Sequence, residues 1–121
     1  MIKALLVEDN DVDAQLTRDL LSEWSIEEFQ ITRAKTLGEC LALLSRERFD
    51  AVLLDLSLPD AFGLPTVIQV HATNPTIPVV VLSGLSDQSV ALQAVQQGAQ
   101  DYLVKGQGHP ELLARAVRYA I

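Results

Sequence analysis

The chain has 121 residues, 49% of them apolar and only 5% aromatic, which suits one domain with an aliphatic core of Leu, Val, Ile and Ala. Sixteen acidic against nine scattered basic residues leave a net charge of −7, which opposes nonspecific binding to nucleic acid or to an anionic membrane. Cys40 alone excludes an intrachain disulfide and agrees with a reducing cytoplasm, no apolar run approaches the roughly 20 residues of a membrane span, and the start MIKALLVEDN turns acidic too early for a signal peptide.

In chain order, the run Ile2 to Val7 is too short and too continuous for a helix, and predicts a strand buried on both faces. Val12, Leu16, Leu20 and Leu21 then form a helical stripe ending near Trp24. Phe29 to Arg33 alternates apolar and polar residues, the pattern of an edge strand. Leu37, Leu41 and Leu44 form the second stripe, with Thr36 and Glu39 spaced as a capping box. Ala51 to Leu54 is a buried strand, followed by a helix carrying Leu64, Val67, Ile68 and His71 and ended near Asn74-Pro75. Ile77 to Leu82 is the next buried strand. It leads to a helix with Val90, Ala91, Ala94 and Val95, with Ser86 or Asp87 as N-cap and Gly98 as its stop. Tyr102 to Val104 is the last strand, and Leu112, Leu113, Ala116, Val117 and Ala120 form the last helix, with Pro110 near its first turn. Five β–α alternations predict an α/β fold with right-handed crossovers and a doubly wound parallel sheet. The last stripe reaches Ile121 without a cap signal, so residues 1–121 are expected to be one domain, the N-terminal part of a longer protein.

Ligands of open α/β sheets bind beyond the carboxyl ends of the strands. The residues that follow the runs there are Glu8 and Asp9, Asp55, Ser83 with Gly84, and Lys105 with Gly106. Asp50 and Asp101 sit at the opposite ends of their strands and read as turn or strand-start residues. Taken singly, Glu8-Asp9 is a solvated turn, Ser83 a helix-entry residue and Lys105 a surface charge. Together they bring three carboxylates, a hydroxyl and an ammonium to one crevice. Two carboxylates about 4 Å apart repel by roughly 4 kcal/mol at an effective dielectric of 20. Mg²⁺ relieves such repulsion, since it prefers hard oxygen ligands and takes one or two carboxylates together with phosphate oxygens. A carboxylate beside it can attack a phosphoryl group, while lysine and hydroxyl hold the transferring oxygens.

LLVEDN at 5–10, DLSLPDAFGL at 55–64, VVLSG at 80–84 and GAQDYLVKG at 98–106, in this order and spacing, resemble the receiver domain of two-component response regulators over essentially the whole chain. The resemblance implies a flavodoxin-like (βα)5 fold with strand order 2-1-3-4-5. It makes Asp55 the phosphoacceptor, Asp9 a direct Mg²⁺ ligand, Glu8 a ligand acting through a coordinated water, and the Ser57 carbonyl the third protein ligand. Ser83 becomes the switch hydroxyl, Lys105 the phosphate-pairing lysine, and Tyr102 the aromatic that turns inward when the hydroxyl engages phosphate. Pro59 and Gly63 match the turn after the acceptor strand. The partners implied are a sensor histidine kinase or histidine phosphotransfer protein, and an output domain, target protein or second copy on the face of helix 4, strand 5 and helix 5. Neither nucleic acid nor membrane is bound directly.

Two departures stand out. Glu occupies the first acidic position, and Gly106 follows Lys105 where many receivers carry a cis proline, so this peptide is expected to be trans and the loop Gly106-Gln107-Gly108 more mobile. Ser57 and Leu85 occupy positions that often tune dephosphorylation. His71 and His109 are read as structural or surface groups, so the donor histidine lies on a partner. Trp24 is read as packing and Cys40 as a small core residue. Two other functions compete with the phosphoacceptor switch. A degenerate receiver acting as a constitutive binding module has only Gly106 in its favour. A Mg²⁺-dependent phosphatase would favour an acid/base carboxylate at position 57, which is Ser, and a substrate-selecting cap. The chain is therefore expected to be a signalling switch and not an enzyme, beyond self-phosphorylation and slow self-dephosphorylation.

Overall fold

Alternation along the strands decides which helices cover which face. Leu5 and Val7, Val52 and Leu54, and Val79 and Val81 lie in one apolar cluster; Leu6, Leu53, Val80 and Leu82 lie in a second. Successive side chains of a strand point to opposite faces, so a sheet with two such clusters must be covered on both sides. The computed structural model of the chain, which describes residues 1–84, 88–106 and 108–121 and only the backbone of Gln88, shows this arrangement.

The elements run β1 (Ile2–Val7), α1 (Asp11–Trp24), β2 (Phe29–Ala34), α2 (Leu37–Arg46), β3 (Ala51–Leu54), β4 (Ser57–Leu58), β5 (Ala61–Phe62), α3 (Leu64–Thr73), β6 (Val79–Ser83), α4 (Gln88–Gln96), β7 (Asp101–Val104) and α5 (Leu112–Ala120). The main sheet is parallel, in the order β2-β1-β3-β6-β7. Counting only its five strands, this is the expected order 2-1-3-4-5, with Phe29–Ala34 at an edge. β4 and β5 are a separate two-residue antiparallel hairpin within the loop after β3. One cluster joins the sheet to α2, α3 and α4, and the other joins it to α1 and α5. β3 is buried at all four positions. Each Leu it hides contributes about 1.5–3 kcal/mol of apolar burial.

Three details differ from the sequence reading. The strand placed at Ile77 to Leu82 is Val79–Ser83: the Ile77 amide bonds back to Asn74 and Pro78 has no amide, so pairing begins at Val79. The first helix buries Ala14, Thr17 and Leu21, whereas Val12 and Leu16 are exposed. Thr17 can be buried because its hydroxyl donates to the Asp13 carbonyl at 2.9 Å. In the third helix Thr66, Val67 and Val70 face inward while Ile68 is exposed. Cys40 is fully buried, as expected, and burial with the nearby Asp60 charge pushes its thiol up to about 12. Trp24 closes α1 but is 46% exposed. The N-cap assigned to Ser86 or Asp87, and the tuning position Leu85, lie outside the described residues.

Candidate functional site

Strand register sets the site. Val7 pairs with Leu54, and Leu54 with Val81, so β1 and β3 end level. The next residues are Glu8 and Asp55, held by bonds from the Glu8 amide to Ala34 O (2.9 Å) and from the Asp55 amide to Val7 O (3.0 Å). Across the sheet Ser83 pairs with Val104, and the Lys105 amide donates to Ser83 O at 2.8 Å. By strand alternation Glu8 and Asp55 follow Leu6 and Leu53 toward the α1–α5 face. Ser83 follows Val79 and Val81 toward the α2–α4 face, where Tyr102 also packs.

The pocket is crowded with charge. Glu8 and Asp55 are 2% and 5% exposed, while Asp9 is open to solvent. Glu8, Asp9 and Asp55 each offer a carboxylate oxygen, all within 4.8 Å of one another. Burial, with Asp55 alongside, pushes the Glu8 carboxyl up to about 7, although Lys105 pulls it the other way. The Lys105 ammonium donates to Glu8 Oε1, to Asp13 Oδ2 at 3.0 Å and to Asp55 Oδ2 at 3.3 Å. Burial disfavours the Lys105 charge, but the bonds to Glu8 and Asp13 and the charges of Asp55 and Glu8 outweigh it and hold its pKa above the ordinary lysine value. One cation thus faces several carboxylates. The donor set is hard oxygen only, and the three carboxylate oxygens converge within 4.8 Å, so these residues fit a divalent cation such as Mg²⁺.

The loop after Asp55 is shaped by its hairpin. The Ser57 amide donates to Asp55 Oδ1 at 3.2 Å, Ser57 pairs with Phe62 in the hairpin, and Pro59-Asp60 forms its turn. Gly63 has φ 75° and ψ −153°, a region essentially restricted to glycine, and its amide closes the loop onto Leu56 O at 2.7 Å. The Lys105–Gly106 peptide is trans, as expected. Gln107, in the loop expected to be mobile, lies outside the described residues. His71 is carried by α3 with its ring against Gly98 and His109 is exposed, so neither histidine joins the pocket's hydrogen bonds or ion pairs among the described residues.

Two residues at the site were missed by sequence reasoning. Asp13 reaches Lys105 from the first turn of α1; the stripe assigned to that helix left Asp13 among its polar residues. Its position one turn after Asp9 was the available signal. Arg33, at the end of β2, donates from Nε to the Glu8 carbonyl at 2.9 Å and pairs through Nη1 with Asp11 at 2.8 Å. Only its place at the strand's carboxyl end could have shown this.

Residues 4–117 match the family model of the response regulator receiver domain. The transcriptional regulatory protein MalR of Bacillus subtilis (strain 168) is 33% identical over 106 residues, which cover 87% of this chain and 44% of MalR. The BeF3-activated DrrB receiver domain superposes with a TM-score of 0.81 at 28% identity, covering 99% of this chain and 97% of that one. The phosphorylated cyanobacterial phytochrome response regulator RcpA gives 0.78 at 27% identity, covering 98% and 89%. The chain spans less than half the length of MalR. No described helix is long and apolar enough to cross a membrane. With the matched model spanning nearly all of its sheet and helices, the chain belongs to the response regulator receiver domain family.

Proposed function

We propose that this domain accepts a phosphoryl group on Asp55 from a phosphohistidine of a partner protein, with Mg²⁺ bound by Asp9, Asp55, the Ser57 carbonyl and, through a water, Glu8. The observation that carries this reading is a buried carboxylate, Asp55, set 3.3 Å from the Lys105 ammonium among oxygens that suit a divalent cation. An Asp55 carboxylate oxygen attacks phosphorus; the new P–O bond forms as the P–N bond to the donor imidazole breaks, and the departing nitrogen takes a proton from solvent. The metal, when bound, neutralises charge on the phosphoryl oxygens. Lys105 donates to one of those oxygens and the Ser83 hydroxyl to another. The similarity to an activated DrrB domain and to phosphorylated RcpA supports the same use of the fold.

Ser83 and Tyr102 share one face of the sheet, so a pull on the Ser83 hydroxyl is relayed to Tyr102 and to the face of α4, β7 and α5. That face then engages an output domain, a target protein or a second copy. The donor is a sensor histidine kinase or a histidine phosphotransfer protein, and the setting is the cytoplasm. The domain turns over no outside substrate and only loses its own phosphoryl group slowly to water. Acetyl phosphate with Mg²⁺ adds one phosphoryl group to the wild type and none to Asp55→Asn, read by intact mass. Equal labelling of the two proteins, or none of the wild type under conditions that label other receivers, overturns the reading.

A further inference from the structure

Lys105 has three N–H donors, and the structure gives each one a carboxylate: Glu8, Asp13 and Asp55. Two of these acceptors belong to the proposed metal site, and Asp55 is also the proposed phosphoacceptor. Asp13 belongs to neither. It stands in the first turn of α1, with its amide bonded to the Asn10 side chain at 3.0 Å. Its carboxylate is bonded to the ammonium 92 positions along the chain.

We infer that Asp13 is a positioning residue for Lys105: it tethers the ammonium at the pocket once metal and phosphoryl group have claimed Glu8 and Asp55. The inference rests on the reading of Asp55 as phosphoacceptor. A cation draws the Glu8 and Asp55 oxygens toward itself, and the bonds they accept from Lys105 weaken together. Lysine has four rotatable bonds, Lys105 is partly open to solvent, and the next residue is a glycine at φ 75°. Without a fixed acceptor on the protein the ammonium would swing into water between encounters. A carboxylate on a helix supplies that acceptor from a rigid element, and its bond leaves two of the three N–H groups for phosphoryl oxygens. The same bond fastens the start of α1 to the loop after β7, which otherwise belong to opposite ends of the sequence.

Asp13→Asn and Asp13→Ala test this, with Asp13→Glu as the conservative change. The side chain of Asp13 is 37% exposed, so these variants should fold. The first readout is the Lys105 ammonium in nitrogen-15 NMR, with and without Mg²⁺. Its resonance should move or broaden in the Asn and Ala variants and be largely kept in Asp13→Glu. The second is labelling by acetyl phosphate. It should slow by about three- to tenfold in the Asn and Ala variants, as expected for one partly exposed, solvent-screened ion pair, and the effect should vanish when Lys105 is already Ala. An unmoved Lys105 resonance overturns the inference, as does faster labelling, which would make Asp13 a competitor. A slowing that persists in Lys105→Ala overturns it too, because Asp13 would then act on the helix and not on the lysine. Should the wild type fail to label at all, the phosphoacceptor reading falls, while the resonance still decides the tether.

Discussion

Gly98 turns the chain out of α4 toward β7 at φ 116°, and a Cβ there would stand 2.6 Å from Cγ and Nδ1 of the His71 ring. Among the described residues His71 Nδ1 is buried without a hydrogen-bond partner, and its ring, carried by α3, lies against the turn at Gly98. Gly98→Ala therefore meets two obstacles, a left-handed backbone and a ring with no slack, and should cost about 1–3 kcal/mol in chemical denaturation. Adding His71→Ala should recover the steric part and leave the backbone part; a double variant no better than Gly98→Ala would place the whole cost in φ. The sequence showed Gly98 as a helix stop because the signal is local. The ring it must clear lies 27 positions earlier, and nothing local announces that. The same distinction runs through the site. Glu8, Asp9, Asp55, Ser83 and Lys105 were readable since each stands one or two residues beyond an aliphatic run. Asp13 and Arg33 were not, because their roles are bonds to residues far along the chain.

The start of α2 shows what element patterns reveal and what they hide. Thr36 and Glu39 are the caps the sequence predicts: Thr36 Oγ1 accepts from the Glu39 amide at 3.1 Å. The reciprocal bond lands one residue early, from the Lys35 amide to Glu39 Oε2 at 3.2 Å. The amides of Leu37 and Gly38 bond instead to Asp60, at 2.8 and 3.0 Å from its two oxygens. Asp60 sits in the turn of the β4–β5 hairpin, so the loop that follows Asp55 is pinned to the far helix by a carboxylate at a helix N-terminus. The bonds from Gly38 and Leu37 hold the Asp60 carboxyl below its ordinary 3.8. Its contribution is thus present above that value and lost as pH falls through the lowered pKa. Asp60→Ala should lower the thermal midpoint at neutral pH, Asp60→Asn less so, and the gap should close in strong acid. An unchanged midpoint at neutral pH would mean that water serves those two amides equally well. Capping by a residue from another loop is invisible to a local pattern. So is the rotation of α1: counting Thr17 as polar turned the assigned face away from the buried one, since its hydroxyl is satisfied within the helix.

For the molecule as a whole, the doubly wound order follows from period-2 strands feeding period-3.6 helices, and all five strands of the sheet were readable for that reason. The price of placing carboxylates at the ends of its central strands appears in how stability responds to pH and metal. Without metal, Glu8 is pushed up to about 7 from its ordinary 4.5, first by burial and then by Asp55. Between those values the folded chain keeps a proton that the unfolded chain releases. The stability tied to Glu8 is accordingly full below pH 4.5 and is lost as pH rises through about 7. The metal-free protein should lose stability over this interval in urea titrations, and Glu8→Gln, which removes the charge at any pH, should flatten the slope. Mg²⁺ at the proposed site should act in the opposite sense: held by the folded pocket, it favours Glu8 deprotonated, so its protection should grow with pH. At a hundredfold excess over its Kd it should restore about 2.7 kcal/mol on the alkaline side, and much less where Glu8 holds its proton. Asp9→Asn, which removes a solvent-facing carboxylate of the proposed metal site and leaves Glu8 buried, should keep the metal-free slope and lose the rescue. A wild type whose metal-free stability rises from pH 4.5 to 7 would show that Glu8 is ionised and stably paired with Lys105 throughout, and that the crowding of charge at this sheet edge is already relieved without a cation.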